Sequence, residues 1–100
     1  MIAAQRALFD PSIQDRFDRY HAQHPEVYAS LRRFALEARR MGRKVGIRMI
    51  WERMRWFMAI EKAEDDDYKL NDHFTSRYAR MLMEREPELS GMFETRELRA

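Results

Sequence analysis

Three prolines and three glycines are the only strong helix breakers in the 100 residues, and none of them interrupts a periodic apolar run. A proline inside a helix removes a backbone donor and clashes with the preceding turn, at a cost of about 3 kcal/mol. The positions of Pro11, Pro25, Gly42, Gly46, Pro87 and Gly91 therefore divide the chain into segments that are free to be helical. Ala, Arg, Glu, Leu and Met fill those segments, and all are good helix formers. The expected fold is all-α: a single compact helical domain, 1–100, of about four helices, with 1–11 as a short arm. The order helix, short glycine-bearing turn, helix around 39–55 also matches the skeleton of a helix-turn-helix.

The periodicity places the helices. Ser12 is positioned to cap a first helix carrying Ile13, Phe17 and Tyr20 to about His24. From Pro25, the residues Val27, Leu31, Phe34, Ala38 and Met41 recur at i, i+4, i+7, i+11 and i+14, with Gly42 as the C′ residue. A third helix is expected over 46–62. A fourth, capped by Asn71 or Asp72, carries Phe74, Tyr78, Met81 and Leu82 to about Glu86. Leu89, Met92 and Phe93 suggest one further turn.

The third helix is apolar on two sides. Ile47, Ile50, Trp51, Met54, Phe57 and Met58 share one face, while Met49, Arg53, Trp56 and Ile60 line the other at i, i+4, i+7 and i+11. Such a helix is either the central element of its core or has one face in a partner. Trp51 belongs to the core in both readings. In the second reading Met49, Arg53, Trp56 and Ile60 form a partner interface, since aromatic and Met anchors beside an Arg are typical hot-spot chemistry.

The net charge of +2 conceals an asymmetry. Positions 32–55 hold nine basic residues against Glu37 and Glu52, a local charge of +7, and 61–72 carries −4. Arg39, Arg40, Arg43 and Lys44 gather at one helix end and the following turn, with Arg48 and Arg55 on the next helix. These six are the candidate nucleic-acid contacts, the first four for phosphates and the last two for a groove. A hairpin over 57–71 would add a wing. The opposing reading is a solvated helix end whose cations meet the helix dipole. The run Asp65–Asp66–Asp67 lacks the spacing and central glycine of a calcium loop and reads as a solvated connector or a counter-surface for a basic partner.

Little points to chemistry. Asp18, His21 and His24 stand at three-residue intervals, but no further ligand lies close, and the histidines read as surface or capping groups; no metal or cofactor is expected. No serine lies in a nucleophile elbow, and no glycine-rich phosphate loop is present. The chain reads as a non-enzyme. With no cysteine, no long apolar run and no leader pattern, a cytoplasmic, non-membrane protein is expected.

The segments HPEVYASLRRFALEARRMGRKVGIRMIWERMRW and YKLNDHFTSRYARMLMEREPELSGMFETR resemble a group of small phage- and prophage-encoded proteins, over about Phe17 to Arg96. The shared frame is the Pro-headed helix, G-I-x-x-I-W-E-R-x-R-W, Y-K-L-N, and Y-A-R before P-E-L-x-G-x-F-E-x-R. The resemblance carries no catalytic or binding residue across. It implies a setting in which DNA-binding regulators and inhibitors of host machinery are common. Two functions follow as expectations: a regulator contacting DNA through 39–55, or a protein-interaction module using Trp56, Met49, Ile60 and the acidic loop 64–67. The expected partners are DNA, a host protein or a second copy of the chain.

Overall fold

A computed structural model describes residues 12–61 and 74–93, and every regular element among them is helical. The arm 1–11, the acidic loop 64–67 and the caps at Asn71 and Asp72 lie outside the described residues. The protein is a small all-α domain.

Helix α1 spans Ile13–Gln23. Ser12 starts it with a reciprocal cap: the Asp15 N–H donates to Ser12 Oγ at 3.1 Å, and the Ser12 N–H donates to the Asp15 carboxylate at 3.4 Å. His24 ends α1 by donating its N–H to the Tyr20 carbonyl, and at φ −130°, ψ 63° it lies outside the helical region that a following proline disfavours. Pro25 then opens α2, Pro25–Arg40, as its first residue, where the missing N–H costs nothing. No loop separates the two helices.

Helix α2 ends in a Schellman motif. Arg43 N–H donates to the Ala38 carbonyl and Gly42 N–H to that of Arg39, each at 3.0 Å, with Gly42 at φ +76°. That left-handed geometry is open to glycine at little cost and explains Gly42. It also corrects the apolar stripe. Met41 is the C-cap, just past the helix, so it leaves the face of Val27, Leu31 and Phe34 and stands 72% exposed.

Helix α3, Ile47–Trp56, begins after Gly46 and continues as one π-helical turn, Phe57–Glu61. The helical state of 57–61 rules out a hairpin starting at Phe57, because the i→i+5 pattern uses the backbone groups a strand would pair. Ile50, Trp51, Met54 and Met58 are buried against α2 and α4, and Phe57 meets the edge of Phe34.

Phe74 leads into α4, Thr75–Arg85, which buries Tyr78, Ala79 and Leu82. Glu86 is extended, as expected ahead of Pro87, and a 3₁₀ turn, Pro87–Leu89, follows. This last turn is part of the core, with Leu89, Met92 and Phe93 buried in the same cluster as Phe17, Leu31, Trp51 and Tyr78. Aromatic rings meet edge-on at its centre: Phe17 lies 4.7 Å from Tyr78 and 5.7 Å from Phe74.

Candidate functional site

Among the described residues, the side of α3 turned away from the core holds the main concentration of exposed apolar surface. Met49 is 63% exposed, Trp56 59% and Ile60 59%, against 1% for Trp51. The helix is therefore buried on one side only, and the reading of it as a core element covered on both faces is corrected. A hundred-degree step per residue carries Ile50, Trp51, Met54 and Met58 inward, and the same step leaves Met49, Arg53, Trp56 and Ile60 outward.

Arg53 is held in the middle of that face. Its guanidinium lies 4.3 Å from the centre of the Phe34 ring, and Nη1 donates to Glu61 at 3.0 Å. The π turn brings Glu61 within this reach of Arg53, eight residues earlier. Arg33 lies over the Phe34 and Phe57 rings at 5.3 Å from each centre, so each ring has a cation against its face. Beside Arg53 an apolar groove of about 210 Å³ runs between the C-terminal part of α2 and α3, lined by Phe34, Ala38, Met41, Val45, Met49 and Ile50 among others. Met41, absent from the sequence-based interface, is one wall. The signal for it was Gly42 itself, since a C′ glycine makes the preceding residue the cap rather than part of the helix face.

The basic residues are less uniform than their count suggests. Arg40 donates twice to the Glu88 carboxylate, at 2.8 and 3.0 Å, and Arg39 donates to the Glu88 carbonyl at 3.1 Å. The Arg40 guanidinium holds the Glu88 carboxyl below its ordinary range. Arg32 likewise donates to Glu86 at 2.6 Å. These arginines tie α2 to the last turn, and they put a carboxylate among the residues expected to meet phosphate. Arg55 sits 3.4 Å from Glu52 on its own helix. Arg43, Lys44 and Arg48 make no ion pair among the described residues. Lys44 and Arg48 border an open depression of about 510 Å³ at the start of α3, floored in part by Met92.

His21 is a packing group, and His24 is the cap shared by α1 and α2. His21 stacks on Phe17 and meets Tyr28 edge-on at 5.6 Å. Burial, with help from Arg85, pushes its pKa below the ordinary histidine value, which favours the neutral ring. The expectation of a surface position for His21 is thus corrected. His24 Nδ1 lies 3.3 Å from Glu26. Among the described residues no group of three His, Asp or Glu side chains is placed to hold a metal ion. Burial also pushes the Tyr20 hydroxyl up to about 12, out of the range of a useful acid at neutral pH. No helix among the described residues is long and apolar enough to cross a membrane.

The chain matches no protein-family model, no curated protein and no solved structure.

Proposed function

We propose that this protein is a non-enzymatic protein-interaction module that docks through the outer face of α3. One observation carries this reading: Met49, Trp56 and Ile60 stand mostly in solvent on one helix face, around an Arg53 already fixed in place. A tryptophan left 59% exposed forgoes much of the stabilisation its burial would bring, roughly 25 cal/mol for each Å² of apolar surface. Trp, Met and Arg together are enriched at interface cores, where a few large anchors supply most of the affinity. Resemblance to small phage-encoded proteins fits a role as an inhibitor of a host complex.

A second reading, DNA contact, rests on Arg43, Lys44 and Arg48, three neighbouring cations with no ion pair among the described residues. Three phosphate contacts give a salt slope of about −2.7 in log K against log salt, a loss of about 40-fold between 50 and 200 mM. That is the behaviour of weak, sequence-indifferent binding.

The two readings separate in a paired experiment. A photoreactive benzophenone side chain is installed in place of Trp56, and in a control at the exposed Gln23 that ends α1. The expected result is a discrete protein adduct from position 56, absent from position 23 and lost in a Met49→Ser/Ile60→Ser background. Duplex DNA in the same preparation is expected to bind no more tightly than micromolar at 150 mM salt. Submicromolar duplex binding with no adduct from position 56 would overturn the proposal.

A further inference from the structure

We infer that the occupant of the α3 outer face and its groove is an acidic amphipathic helix of a partner protein; the inference rests on the interaction reading above and names the chemistry of that partner.

Charge is the first ground. The acidic groups on α3 and its π turn are already matched, Glu52 by Arg55 and Glu61 by Arg53. Arg48 on the same helix has no ion pair among the described residues, and neither do Arg43 and Lys44 in the turn before it. All three are exposed. The face is therefore net basic from end to end. Two such faces repel each other, whereas a segment rich in Asp and Glu is drawn to one and oriented by it.

The second ground is where the positive charge sits relative to the apolar recess. Val45 lines both the groove of about 210 Å³ and the basic depression bordered by Lys44 and Arg48, so the two adjoin. The groove's lining grades from the buried Phe34 and Ile50 to the exposed Met41 and Met49. It is smaller than the roughly 300–1,000 Å³ of a site that encloses a whole small molecule, and it suits a single large apolar side chain. Thioether walls adapt to the shape of what enters. A helix places an apolar residue and a carboxylate about 5–6 Å apart at positions three or four along, which serves both recesses at once. Met49, Trp56 and Ile60 extend the apolar track over roughly 16 Å, about three turns of a docked helix.

Glu37 is the third ground, because it separates this occupant from other polyanions. It is exposed and lines the same groove. Duplex DNA and an anionic membrane are negative throughout, so either would press phosphate toward Glu37, and a flat bilayer surface leaves the recess unfilled. A protein helix sets carboxylates against Lys44 and Arg48 and one basic or amide side chain against Glu37.

The test uses the full chain, screened against a displayed library of random peptides of about 16 residues, long enough to be helical once bound. The enriched sequences are expected to be net negative, with large apolar residues at spacings of three and four and Asp or Glu between them. The strongest, made synthetically, is expected to bind with a Kd on the order of 10 µM. Lys44→Glu/Arg48→Glu and Met41→Ser/Met49→Ser proteins are each expected to bind it at least about tenfold more weakly. All four positions are exposed, so the circular dichroism melts should match the wild type. Enrichment of neutral or basic sequences, or of none, would overturn the inference. An acidic peptide indifferent to either double substitution would also overturn it, as would tighter binding of duplex DNA or of phosphatidylserine vesicles than of any peptide. The benzophenone adduct keeps the two readings apart: an adduct from position 56 to a neutral or basic segment of another protein upholds the interaction reading and ends this inference.

Discussion

Replacing Trp51 by Ala is expected to lower folding stability by about 3–5 kcal/mol, and replacing Trp56 by Ala by less than about 0.5 kcal/mol. The two residues are five apart on the same helix, yet one is 1% and the other 59% exposed. The Trp51 indole lies 5.8 Å from the Tyr78 ring and is packed against α2 and α4, so its loss leaves a void that neighbouring side chains fill only in part. A domain of this size has about 5–15 kcal/mol of stability in all, so Trp51→Ala removes a large share. Urea denaturation measures both variants, and the expected pattern is a large fall in midpoint for Trp51 and almost none for Trp56. Equal falls would show that Trp56 is a structural residue.

Leu89→Ala is expected to cost about 2–5 kcal/mol, although the residue sits in a three-residue 3₁₀ turn. Short turns of this type have poor hydrogen-bond geometry and hold no shape alone. The turn is held by what it buries: Leu89 is 0% and Met92 1% exposed, and Gly91 at φ +72° bends the chain so that both point inward. Arg39, Arg40 and Arg32 reach over from α2 to Glu88 and Glu86, but these pairs are open to water and fix position more than they stabilise. Thermal unfolding of Leu89→Ala is expected to shift down by about 10 °C or more. Glu88→Gln, which removes only the carboxylate charge, is the control and should melt near the wild type.

The helices are legible because their ends carry local chemistry. Ser12 with Asp15, Pro25, Gly42 and Pro87 each determine a boundary through backbone geometry, and the structure places breaks at all of them. The inward side of α3 follows from its 3.6-residue period. What periodicity leaves open is whether a second apolar side is covered, since that depends on how many elements surround the helix. Here α2 and α4 pack on one side, and Met49, Trp56 and Ile60 are left outside. The fate of the basic residues was illegible for a related reason. Glu88 lies 48 residues from Arg40, and only the fold brings them together. The packing of His21 was illegible in the same way, because its neighbours Tyr28 and Tyr78 come from other helices.

Docking through α3 requires that this helix offer one side to solvent, and hydroxyl-radical footprinting of dilute protein measures that side chain by side chain. In dilute protein, at 2 µM, Met41, Met49 and Trp56 are expected to oxidise about tenfold faster than Met54, Met58 and Trp51, because oxidation follows exposure. Protection of Met49 and Trp56 equal to that of Met54 and Trp51 in the monomer would mean the face is covered within the chain, and the docking surface would not exist.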